Sequence, residues 1–150
     1  MAAALAIPIS GISAVAVSGG AAGAAAVTIS CTNIKGNAST TVTISGCTGG
    51  KTGGKSKPIK STALATGGTI DWVSGSTTTI AKPKLTSESA TKCPGYKKGA
   101  SSNPSAEKAT GKVTADKGDG IKVPGKFSGE VCISSKGAIT AYPGSKLTAT

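Results

Sequence analysis

Apolar and polar residues alternate in short runs along most of this chain, and the apolar members are mainly β-branched. Val27-Thr28-Ile29-Ser30-Cys31 puts Val27, Ile29 and Cys31 on one face, and Thr41-Val42-Thr43-Ile44-Ser45 turns Val42 and Ile44 inward. A period of two with Val, Ile and Thr marks half-buried strands. Ile34-Lys35-Gly36-Asn37-Ala38 is expected to form the turn between these two runs. Thr69–Val73 and Thr77–Ala81 flank Ser74-Gly75-Ser76 and predict a second hairpin. Phe127, Gly129, Val131 and Ile133 share one face of a longer strand, so Cys132 faces the other way. Beyond residue 27 no stretch keeps a helical period. The pattern predicts an all-β domain, sandwich or barrel-like, with roughly eight to ten short strands.

Turn chemistry punctuates the second half. Cys93-Pro94-Gly95-Tyr96, Val123-Pro124-Gly125-Lys126 and Tyr142-Pro143-Gly144-Ser145 share one plan. Proline presets φ at the first central position and glycine takes a positive φ at the next, which predicts three type II turns. Two stretches, 49–60 and 86–108, carry no alternation and are expected to be unstructured, with Cys93 pinning the second to the sheet.

Residues 1–26 carry no charged side chain and are rich in Ala, Gly and Ser. An apolar run followed by small residues predicts an export signal, with Ala24-Ala25-Ala26 placing the cut before Val27, although a basic leading region is missing. The rival readings are a retained membrane anchor and a soluble helix. Gly19-Gly20 interrupts the run, and a span needs about 20 strongly apolar residues. The expected organisation is therefore a signal-like segment over 1–26 and one β domain over 27–150, with no stable membrane insertion after cleavage and a secreted or cell-envelope location. Thr28-Ile29-Ser30-Cys31 also resembles a lipidation motif, but Thr28 stands where leucine is wanted and three thiols would be left over.

The export reading governs the four cysteines. An even number in an exported chain predicts two disulfides. Of three possible pairings, Cys31–Cys47 and Cys93–Cys132 are favoured, because the first pair brackets a hairpin. Large apolar side chains are few, so these links should matter to stability. With no CxxC pair and no histidine, a zinc site is not expected.

All seventeen basic residues are lysine, against six acids, for a formal charge of +11. Sequence-specific nucleic-acid binding is not expected without arginine and with so few aromatics to stack on bases. The absence of histidine excludes Ser–His–Asp and Cys–His catalysis. Gly49–Ser56 matches a phosphate-binding loop in letters only: Pro58 blocks the helix that must follow, and a linker is expected instead. Asp116–Gly120 lacks the ligands of a calcium loop and reads as a turn, and Asn37-Ala38-Ser39 is a sequon. A glycan hydrolase would need two carboxyls close together, and Asp71 with Glu130 across the sheet is the pair to test. Trp72 is expected mainly as core, with sugar stacking as its alternative use.

ISC at 29–31, TISGCT at 43–48, GGTIDW at 67–72, STTTI at 76–80, GEVCISSKG at 129–137 and PGSKL at 143–147 together resemble a group of small exported proteins of mycobacteria and related actinobacteria. The resemblance implies export and a disulfide-bonded β fold, and it brings no activity with it. The leading expectation is a non-catalytic, secreted or envelope-associated protein without a cofactor. It would act structurally or bind an anionic or carbohydrate surface, with Trp72, Lys97 and Lys98 as candidate contacts. A carboxylate-based glycan hydrolase and a subunit of a surface assembly are the alternatives.

Overall fold

The computed structural model describes residues 26–150; the expected signal segment, apart from Ala26, lies outside them. The described residues form ten strands, five of them at the alternating runs: β1 Ile29–Asn37, β2 Thr41–Thr48, β3 Ile59–Lys60, β4 Gly68–Asp71, β5 Thr77–Ile80, β6 Lys84–Glu88, β7 Ser105–Lys117, β8 Gly125–Ile133, β9 Ala138–Ala141 and β10 Leu147–Ala149. One short helix, α1, spans Ser61–Thr66. It is the exception to the expectation of no helix: six residues are too few to show a period in sequence.

The strands form one antiparallel sheet in the order β3-β2-β1-β10-β8-β7-β5-β4. Three long strands, β1, β7 and β8, each pair three others, two of them in succession along one edge. β1 pairs β10 at Ile29–Cys31 and β9 at Lys35–Asn37, and both β9 and β10 also pair β8. β7 pairs β6 near its start and β5 near its end. The two ends of this order are then joined. Residues 55–57 run between β2 and β4, with bridges Ser45–Lys55 and Ser56–Trp72 and a Lys57 N–H to Asp71 carbonyl bond of 2.7 Å. The sheet therefore closes into a barrel, the second of the two expected forms, and closure leaves few free edges.

Inside lie Ile29, Ile44, Ile70, Trp72, Ile80, Val113 and Phe127, all buried. Ile29, Ile44 and Phe127 are inward positions of the predicted alternation, and Trp72 takes the core role expected of it. Both favoured disulfides are present. Cys31 and Cys47 are direct partners across β1 and β2. Cys132 sits on the outer face of β8, as its neighbours' alternation requires, and with Cys93 and Ala106 forms a small second cluster.

Several local expectations are corrected. Lys35–Asn37 continue β1, and the turn falls at 38–40. Two of the three proline turns form: Gly95 and Gly144 have φ of 84° and 81°, closed by bonds from Tyr96 N–H to Cys93 O and from Ser145 N–H to Tyr142 O. The third does not. Val123–Pro124 is cis, and Gly125 has no positive φ, because it already belongs to β8 beside Thr150. Residues 49–60 are not a free linker: Thr52, Ser56 and Ile59 are buried. The stretch 86–108 is likewise ordered, by β6, a single helical turn at Ala90–Lys92 and the Cys93–Cys132 link. β6 is exposed at every position, so no alternation announced it.

Candidate functional site

The two ends of the barrel are built from different chemistry. At one end a hydrogen-bonded network fills the interior. Asp119, 3% exposed, accepts from Ser76 Oγ at 2.8 Å and from the Lys51 backbone N–H at 3.0 Å on Oδ1. Its Oδ2 accepts from Thr78 Oγ1 at 3.1 Å, and Thr78 in turn accepts from Trp72 Nε1 at 2.9 Å. Ser74 Oγ donates to the Lys51 carbonyl. A buried carboxylate needs such donors to offset its lost hydration. The loop that resembled a phosphate cradle thus has its own anion, an internal aspartate. Nearby, Asp116 Oδ2 accepts from Gly120 N–H at 2.8 Å, while its Oδ1 is buried with no partner among the described residues.

The other end is open and apolar. A half-open cavity of about 160 Å³ lies between β6, β7, β8 and β9 on one side and α1 on the other. Its origin is visible in the register. Ala109 of β7 faces Gly129 of β8, and the next inward pair is Gly111 opposite Phe127. This level carries almost no side chain of its own, and the Leu147 side chain packs over Gly129. Leu85 and Leu147 stand beside the gap, Phe127 is at its floor, and Ile139 closes the side toward β1. Barrels of this strand number hold either packed side chains or one small ligand. Leu85, 47% exposed, leaves apolar surface at the rim.

One charged residue lines the cavity, Glu107. It pairs with Val131 on β8 and Ser87 on β6. The other polar member, Ser61, donates its hydroxyl to Ala38 O at 2.6 Å. The one ion pair among the described residues, Lys108–Glu130 at 3.1 Å, lies on the outer face of the same strands.

The residues singled out in sequence do not assemble into this site. Trp72 is 1% exposed, its ring packed in the core and its N–H bonded to Thr78, so it offers no stacking platform. Lys97 and Lys98 are exposed on a turn closed by Ala100 N–H to Lys97 O, at the start of β7, whereas Trp72 lies near that strand's far end. Asp71 and Glu130 do not meet. Through Thr77, Asp71 aligns with Lys117, while Glu130 aligns with Lys108, nine residues away along β7. That separation is roughly 30 Å. Asp116 and Lys117 end β7, the chain bends at Gly118-Asp119, and Asp119 is buried. No cluster of three or more metal-ligating side chains occurs among the described residues.

The pocket residues were not picked out in sequence. The signal available was Gly129, a glycine among the inward positions of the longest alternating run. Comparison of the chain with family models, with curated proteins and with solved structures finds no match in any of the three.

Proposed function

We propose that this chain is an exported, non-catalytic binding protein that takes one small apolar group into the open end of its barrel. The observation that carries this reading is the half-open apolar cavity built around the Ala109–Gly129 gap. A concave, mostly apolar, preformed cavity with one or two polar groups is the usual form of a small-ligand site. Its volume, about 160 Å³, compares with an engineered cavity of about 150 Å³ that binds benzene. The occupant is therefore a ring or a short alkyl group. A chain of about six carbons, at about 0.8 kcal/mol per CH₂, gains roughly 4–5 kcal/mol and binds in the millimolar to sub-millimolar range.

Export is supported by the two disulfides, which belong to an oxidising compartment. No described helix is long and apolar enough to cross a membrane. The test is titration of hexanol into the oxidised protein, followed by NMR of methyl groups. Shifts at Leu85, Val131, Ile139 and Leu147, abolished by Ala109→Leu, support the reading. Unmoved methyl signals in the folded protein refute it.

A second reading, adherence to an anionic envelope polymer, is favoured by the lysines. Every one except Lys108 is exposed. Such attraction needs no cleft, and it weakens steeply with salt. Retention on a polyanion that persisted at about 0.5 M salt would be incompatible with it. The surface-assembly alternative rests on β6, whose ends carry Lys84 and Glu88; charged ends of this kind resist edge pairing.

A further inference from the structure

The lining of the cavity holds a charge of the wrong sign for this protein. Seventeen lysines and six acids give +11, and the lysines point outward. Yet the one charged side chain in the cavity wall is a glutamate. Glu107 shares the inner face of β7 with Ala109, Gly111 and Val113, positions that are otherwise small or apolar. Its immediate neighbour Lys108 faces outward and is already paired with Glu130. Neither an ion pair nor a hydrogen bond reaches the Glu107 carboxylate among the described residues. The Ser61 hydroxyl proton is taken by a backbone carbonyl, so Ser61 can accept from a bound group but has no proton to give an anionic one.

Depth matters as well as sign. Glu107 pairs with Val131, and Phe127 at the floor is four residues back along β8. The backbone at Glu107 is therefore about 13 Å along the strand from the level of Phe127, with the Ala109–Gly129 level midway. An alkyl tail lying over the Ala109–Gly129 level, about 7 Å along the strand, would bring its polar end to the level of Glu107.

Resting on the pocket reading above, we propose that the ligand is a small free alkylamine, bound with its ammonium against Glu107 and its alkyl group over the Ala109–Gly129 gap. A fatty-acid anion of the same length would set its carboxylate against that of Glu107. A neutral alcohol would donate one hydrogen bond. The surrounding lysines do not reverse this order. At physiological salt the Debye length is about 8 Å, so distant exposed charges are largely screened, while a contact pair at the edge of an apolar cavity is screened much less.

The test is calorimetric titration of the full, oxidised chain with three probes that differ only in their polar end: hexylamine, hexanol and hexanoate, at neutral pH. Hexylamine is expected to bind about tenfold more tightly than hexanoate, with hexanol between them. Glu107→Gln keeps the side-chain shape and is expected to bring the three within about twofold of one another. Glu107→Lys is expected to reverse the order. Ala109→Leu, which fills the gap, should abolish binding of all three and so separates the pocket from amine adsorption elsewhere.

Hexanoate binding the unaltered protein as tightly as hexylamine would overturn the proposal without any variant. An amine preference that survived Glu107→Gln would overturn it too. The failure of the underlying pocket reading is distinct: none of the three probes, hexanol included, would then bind.

Discussion

Trp72 donates its indole N–H to Thr78 Oγ1 at 2.9 Å, and both residues are sealed inside the barrel. The two strands that carry them form a hairpin, and Thr78 passes the chain of bonds on to Asp119 Oδ2. A single threonine hydroxyl thus joins the only tryptophan to a buried carboxylate. Removing it leaves the indole N–H and Asp119 Oδ2 without this partner, while Asp119 Oδ1 keeps Ser76 and Lys51.

Thr78→Val is nearly isosteric, so its cost should come from the lost bonds and not from packing. We expect a loss of about 1–3 kcal/mol. Asp119→Ala removes the acceptor of Ser76, Thr78 and Lys51 together and should cost more, about 2–4 kcal/mol. The double variant should lose less than the sum, because the two residues belong to one network. Urea denaturation of the oxidised proteins measures all three. Full additivity would mean that the network does not act as a unit.

Trp72 should emit as a buried indole and resist acrylamide. Its 1% exposure leaves no face for a quencher or for a sugar ring. Quenching comparable to that of a free indole would show the ring at the surface and would restore the stacking role that the structure removes.

Two glycines in the 49–54 loop separate an ordered segment from a flexible one. Both Gly49 and Gly54 have positive φ. Alanine at Gly54 meets no other atom within 4 Å and should cost about 1–2 kcal/mol for its backbone conformation alone. At Gly49 the new Cβ would also run into the Thr28 carbonyl oxygen, adding about 1–3 kcal/mol. A linker would tolerate both changes equally. Thermal unfolding of the two variants decides.

The two disulfides should fail differently. No thiol should react with an alkylating reagent until the protein is reduced, since no described cysteine is free. Cys31 lies in the main core, so replacing Cys31 and Cys47 by alanine should lower global stability by about 3 kcal/mol. Cys93 instead ties an excursion to the outer face of β8. Replacing Cys93 and Cys132 should first speed tryptic cleavage at Lys97 and Lys98. Equal cleavage rates in the two variants would contradict this division.

The strands that face both core and solvent were legible in the chain, because one buried face writes a period of two into the letters. Val42 and Ile44, or Phe127 and Val131, show it directly. The same logic identified the Cys31–Cys47 link, since the hairpin that brings the two cysteines together is local. β6 was illegible: with every side chain exposed, only its hydrogen bonds to β7 define it as a strand. The 49–60 segment looked like a linker because its anchors are distant. Lys51 finds Asp119 across 68 residues, a partnership that no window of sequence contains.

The sequence by itself determined the all-β class, the inward positions of its alternating runs and a core with few large apolar side chains. Each follows from side-chain chemistry read over a few residues. Only the tertiary structure decided that the sheet closes through residues 55–57, that one end is plugged by the Asp119 network and that the other stays open. Closure depends on which strands meet. Ala109 opposite Gly129 is an unremarkable pair of small residues until the register sets them face to face at one level of a barrel, and their missing side chains add up to a cavity with Glu107 in its lining.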